Sequence, residues 1–165
     1  MTAAHFSKDT LEFIKLLARH RVRYLIVGGE AVIYHGYARL TGDVDFFYEA
    51  SPTNAEWLFA ALTDFWQGNI SGVESAKDLL AKNLILQFGV PPYRIDLVNS
   101  ITGVFFAEAW TSRVEEKIKV GRRECAVYFI GLDALVKNKE SIRRPKDLED
   151  LKYLKIAANR SNRKK

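Results

Sequence analysis

Three carboxylates sit in apolar company at the spacing of extended chain. Asp43 and Asp45 alternate with Val44 and Phe46, and Asp96 lies within Arg94-Ile95-Asp96-Leu97-Val98. Residues two apart on a strand share a face, so Asp43 and Asp45 project together, about 7 Å apart. Asp is a poor strand former, and like charges side by side on one face repel. A hard divalent cation removes that conflict, because Mg²⁺ is typically held by one or two carboxylates plus substrate phosphates. Each acid also has a plainer use: Asp43 as a turn residue behind Gly42, Asp45 paired with a nearby Arg, Asp96 paired with Arg94. The three together favour a metal over the separate uses.

A second feature lies just upstream. Gly28-Gly29 follows the apolar run Tyr24-Leu25-Ile26-Val27 and precedes a helix-like stretch. Glycine lets backbone approach a ligand closely, and the free N–H groups of a first helical turn can face a phosphate. The pair alone is weak evidence. The chain has neither the Gly-x-Gly-x-x-Gly dinucleotide fingerprint nor the Gly-Lys-Ser/Thr of a Walker A loop. Its spacing is more telling, because the stretch from Glu30 to Gly42 suffices for a short helix and a return onto the next strand. Such a path sets the glycines beside the acids.

The elements that position these residues read as follows. Leu11, Ile14, Leu17 and Ala18 mark a helix over 9–20. Strands are expected at 23–27, 44–48, 84–88, 93–98, 114–120 and 124–130. The turn at Pro91-Pro92 and the hairpin at Gly121-Arg122-Arg123 join two pairs of them. Further helices are expected at 30–35, closed by Gly36, from Ser51-Pro52 to about Phe65, at 133–140 and at 145–159. Strands and helices mix without strict alternation, which gives an α+β domain with a mixed β-sheet and helices mainly on one face. Residues 1–159 read as a single domain and 160–165 as a basic, flexible tail.

Composition narrows the class. The 165 residues are 48% apolar and carry ten Phe, seven Tyr and three Trp, so disorder is excluded. The single cysteine, Cys125, rules out an internal disulfide framework and a cysteine-only zinc site. No apolar run reaches the ~18 residues of a membrane span, and the N-terminus does not resemble a signal peptide, so a cytoplasmic protein without a membrane partner is expected. Of the net charge of +5, residues 137–165 contribute +7 and the remainder −2. A basic C-terminal part on a slightly acidic body points toward an anionic partner.

Taken together, an apolar residue with Gly28-Gly29, a dozen residues, Asp43-x-Asp45, and a later strand Asp96 resembles the DNA polymerase β-type nucleotidyltransferase superfamily. The stretch Ala31, His35-Gly36, Arg39-x-Thr41-x-Asp43-x-Asp45 is similar to one branch, the small prokaryotic nucleotidyltransferases related to abortive-infection and toxin–antitoxin systems. Leu135-Val136-Lys137-Asn138-Lys139 with Arg143-Arg144-Pro145-Lys146-Asp147-Leu148-Glu149-Asp150-Leu151 looks like that branch's closing motif. The likeness covers about residues 10–155.

The resemblance implies a nucleotidyltransferase fold and roles for particular residues. Asp43, Asp45 and Asp96 would be the catalytic, metal-binding acids for two Mg²⁺ ions, with Asp96 also helping to activate the acceptor. Gly28 and Gly29 would cradle the triphosphate, and Arg39, Thr41, Lys139 and Lys146 would complete the nucleotide site. The substrate would be an NTP, ATP or another, and the acceptor a small molecule, a tRNA end or a partner protein. Two assignments have plain alternatives: Arg39 could pair with Asp43, and Lys146 with Asp150 at i,i+4. Many superfamily members carry Ser where Gly29 stands, so one hydroxyl contact to phosphate is lost. An antitoxin-like module that keeps the fold and acts through a partner protein is the alternative, favoured by small size and disfavoured by retention of all three acids. His35 and Cys125 read as structural. Trp57, Phe59 and Phe65 read as core, as do Trp66 and Trp110, which otherwise could line a nucleobase pocket.

Overall fold

A computed structural model describes residues 5–164. In chain order the elements are α1 (Lys8–Arg19), β1 (Tyr24–Val27), α2 (Gly28–Tyr34), β2 (Asp43–Tyr48), α3 (Pro52–Trp66), β3 (Ile85–Phe88), β4 (Arg94–Val98), α4 (Phe106–Thr111), β5 (Val114–Val120), β6 (Arg123–Phe129), α5 (Leu132–Ile142) and α6 (Pro145–Asn162). A 3-10 turn spans Ala76–Leu80. The six strands form one sheet in the order β3-β4-β2-β1-β6-β5. The pairings of β2 with β4 and of β1 with β6 are parallel; the other three, including the central β2 with β1, are antiparallel. The protein is thus an α+β domain with a mixed sheet, as the sequence indicates.

Local chemistry sets the helix starts. Ser7 accepts a hydrogen bond from the Thr10 amide at 3.1 Å to open α1, and Ser51 accepts one from the Asn54 amide at 3.2 Å to open α3, with Pro52 in its first turn. Each bond satisfies a donor that the helix itself leaves unpaired. Two short elements escape the sequence pattern, the 3-10 turn and the six-residue α4, both too short to show a periodicity. α6 continues through Asn162, past the expected end at 159.

Among the described residues four helices lie on one face of the sheet and two, α1 and α3, on the other, so the helices are mainly on one face. Along β1, Tyr24 and Ile26 pack into one apolar cluster with α1 and α3, while Leu25 and Val27 pack into another with α2, α4, α5 and α6. All four β1 residues are buried, as a strand covered on both sides must be. The first cluster centres on edge-to-face contacts of Phe46 with Phe13 at 5.2 Å and with Tyr24 at 5.4 Å. Trp57, expected in the core, is exposed: the buried stripe of α3 runs through Ala55, Leu58, Ala61 and Leu62, and Trp57 falls off it. Phe59 and Phe65 are half-buried against the first cluster.

Candidate metal and nucleotide site

Register brings the acids together. In the parallel pairing of β2 with β4, Asp43 lies opposite Arg94 and Asp45 opposite Asp96. The apolar neighbours Val44, Phe46, Ile95 and Leu97 all enter the first core cluster. By the alternation of strand side chains, Asp43, Asp45, Arg94 and Asp96 therefore project from the other face. There, one carboxylate oxygen from each of the three acids lies within 4.8 Å of the others.

The glycines abut this cluster. β1 ends at Val27 opposite Asp45, and α2 begins directly at Gly28, two residues earlier than the expected start, so both glycines occupy its first turn. Gly28 has φ of +62°, and a Cβ there would stand 2.3 Å from Asp45 Oδ2. At Gly29 a Cβ would meet Thr41 Oγ1 at 2.6 Å and Arg39 Nη1 at 3.3 Å. Any other residue would push into Asp45 or into the Arg39–Thr41 loop. The first-turn N–H groups of α2 have no side-chain cap.

Charge around the acids is unevenly balanced. Arg94 donates from Nε to Asp96 Oδ1 at 2.7 Å and from Nη2 to Asp96 Oδ2 at 2.9 Å and Asp43 Oδ2 at 2.8 Å. Gln87 adds a longer bond to Asp96 Oδ2 at 3.3 Å, and the Thr41 hydroxyl donates to Asp43 Oδ1 at 3.2 Å. Among the described residues Asp45 receives no such partner. Burial, then repulsion from Asp43 and Asp96, pushes its carboxyl up to about 7, against partial relief from Arg94 and Lys139. A buried carboxyl whose proton affinity is raised by two neighbouring acids marks a site short of positive charge.

Behind the acids lies a buried ion-pair network. Lys139, 3% exposed, donates to Asp147 at 2.9 Å and lies 3.2 Å from Asp150. Arg39 grips Asp150 with Nε at 2.9 Å and Nη2 at 3.1 Å. Arg144 closes the set, donating from Nε to Asp147 Oδ2 at 2.8 Å. Burial opposes ionisation of Asp147, yet Arg144 and Lys139 hold it below the usual carboxylate range. These pairs pin the start of α6 to α5 and to the loop before β2.

The expected site residues thus fall into two groups. Asp43, Asp45, Asp96, Gly28, Gly29 and Thr41 converge, with Arg39 at the edge beside Gly29. Arg39 pairs with Asp150 rather than with Asp43. Lys139 is committed to the internal network, and Lys146 is exposed, its i,i+4 neighbour Asp150 being held by Arg39 and Lys139. Sequence reasoning singled out neither Asp147 nor Asp150 as a partner of Lys139. The available signal was Arg144-x-x-Asp147 at the start of α6, where Asp147 Oδ2 accepts from the Arg144 amide at 3.1 Å. Elsewhere, His35 bonds to the Ile130 carbonyl at 2.8 Å, and its burial lowers its pKa, fitting a structural imidazole. Trp66 packs against Phe65 and Phe88, and Trp110 lies under the Arg113 guanidinium at 4.0 Å; both are half-buried core-facing rings. Cys125 is half-buried on β6.

Residues 8–161 match the family described as "Nucleotidyltransferase of unknown function (DUF6036)". The chain belongs to this family. No curated protein matches its sequence. Members of a nucleotidyltransferase family are expected to use a divalent metal, and the donor set here suits one. Three carboxylates converge, all the donors are oxygen, and among the described residues one acid, Asp45, has no ion-pair partner of its own. Among the described residues no helix is long and apolar enough to cross a membrane.

Proposed function

We propose that this nucleotidyltransferase-family protein transfers a nucleoside monophosphate from an NTP to an acceptor hydroxyl or phosphate, with Mg²⁺ held by Asp43, Asp45 and Asp96. In the transfer an acceptor oxygen bonds to the α-phosphorus, the bond from that phosphorus to the bridging oxygen breaks, and pyrophosphate leaves. The convergence of the three carboxylates against the Gly28–Gly29 turn is the observation that carries this reading. Gly28 and Gly29 bring bare backbone amides to where phosphate oxygens would lie, and the side chain of Arg39 adds positive charge next to Gly29. Asp150 holds that guanidinium in place by two bonds, so little side-chain freedom is lost when phosphate arrives. Asp96 accepts the proton of an acceptor hydroxyl. Bound Mg²⁺ supplies Lewis-acid stabilisation of the attacking and leaving oxygens.

The acceptor is a small molecule, a tRNA end or a partner protein. The test is transfer of label from α-phosphate-labelled NTPs, with Mg²⁺, to each acceptor class and to a cell extract. Wild-type protein should label a discrete acceptor and release pyrophosphate. Asp96→Asn should lose at least about a hundredfold in rate, the lower range for a positioned proton acceptor. Absence of labelling by wild type across all four NTPs and every acceptor would refute the proposal.

A further inference from the structure

We propose that Arg94 is the resident counter-cation of the acidic trio, competing with the divalent metal for Asp43 and Asp96 and so setting how tightly that metal binds. This rests on the metal-dependent reading above.

The placement follows from register. Arg94 is two residues before Asp96, hence on its face, and is paired in the sheet with Asp43. Its guanidinium can reach both acids without leaving the strand. One nitrogen, Nη2, does both jobs: it bonds to Oδ2 of Asp43 at 2.8 Å and to Oδ2 of Asp96 at 2.9 Å. A cation shared by those two acids uses the same carboxylate charge. With Nε on the other oxygen of Asp96 and the Thr41 hydroxyl on the other oxygen of Asp43, every oxygen of both carboxylates already has a protein partner.

Arg94 and a dication therefore oppose each other twice, through shared lone pairs and through like charge. Asp45 stands outside the clamp and is the acid left open to an incoming metal. Arg94 is about a quarter exposed at its side chain, 28%, so it has room to release Asp43 outward. Without metal the clamp offsets part of the repulsion among the three carboxylates.

The test is the dissociation constant for Mn²⁺, by titration calorimetry, of wild type, Arg94→Met, Arg94→Gln and Arg94→Lys. The neutral variants should bind about tenfold more tightly, the effect of removing one positive charge a few ångströms from a dication under near-aqueous screening. Arg94→Lys, which keeps the charge without the fork, should stay within about threefold of wild type. Metal-free melting temperatures of both neutral variants should fall. A guanidinium that merely braced the acids in a metal-binding shape would give the opposite sign, weaker Mn²⁺ binding. Equal or weaker binding by both neutral variants overturns the proposal. So does failure of both to fold when Mn²⁺ does not rescue them, which would make Arg94 a structural strut. If wild type itself binds no Mn²⁺, this inference falls together with the proposed function. If wild type binds and the variants bind no tighter, only this inference falls.

Discussion

Replacing Asp45 by Asn should make the metal-free protein more stable while destroying its site. In the folded chain the Asp45 carboxyl titrates near 7, against 3.8 for an unperturbed Asp. Between those values the folded state holds a proton that the unfolded state has lost, so wild-type stability falls as pH rises through this window. Three decades of proton affinity at 1.36 kcal/mol each set the cost at about 4 kcal/mol once pH exceeds 7. Asn carries no charge and escapes it. For a domain of this size 1 kcal/mol moves the melting temperature by ~2–4 °C, so Asp45→Asn should melt roughly 8–16 °C above wild type at pH 8 in chelator. The gain should shrink on acidification and all but vanish near pH 4, where the folded carboxyl is protonated and the unfolded one lies close to its own pKa. Calorimetric melting of both proteins at pH 4, 6 and 8 measures this. A variant that melts at or below wild type at pH 8, or a difference that does not change with pH, would refute the electrostatic account of the trio.

Other substitutions test the surrounding frame. Gly28→Ala combines a left-handed backbone with a methyl 2.3 Å from Asp45 Oδ2. It should lower stability by at least ~1–2 kcal/mol, read by thermal melting, and should weaken Mn²⁺ binding in the same preparation. Lys139→Met takes one of two cationic partners from each of the buried Asp147 and Asp150, which keep Arg144 and Arg39. The loss should therefore stay below the about 3–5 kcal/mol of a fully stranded buried charge, seen as a lower denaturation midpoint in urea. Asp150→Asn should leave the fold standing but free Arg39. In a transfer assay it should raise the KM for NTP more than it lowers kcat.

Much of the site is visible in the sequence because strand alternation is a strong local signal. Asp43, Asp45 and Asp96 interrupt apolar runs, and period-two spacing alone predicts the shared face of the first two. What joins them to Asp96 is the parallel pairing of β2 with β4, which no local pattern encodes. The same holds for Arg39 and Asp150, which meet across more than a hundred residues. Arg94 was legible as a neighbour of Asp96, but its second bond, to Asp43, depends on register. The division of helices between both faces was written in β1, where Tyr24-Leu25-Ile26-Val27 has no polar side. Family resemblance supplied roles that residue spacing could not. Trp57 shows the reverse failure: aromatic type suggests core, while helical phase sets the ring off the buried stripe and partly exposes it.

The central claim is that the acidic trio and the glycine turn form one metal–triphosphate site. Its most direct test is thermal unfolding of wild type and Asp45→Asn with each NTP, with and without Mg²⁺. Ligand at a hundred times its dissociation constant adds about 2.7 kcal/mol, a rise of roughly 5–11 °C for a domain of this size. The account predicts that rise for wild type only when NTP and Mg²⁺ are both present, with Asp45→Asn unmoved from its higher metal-free baseline. An equal rise in both proteins, or no rise in wild type with any NTP, would contradict it.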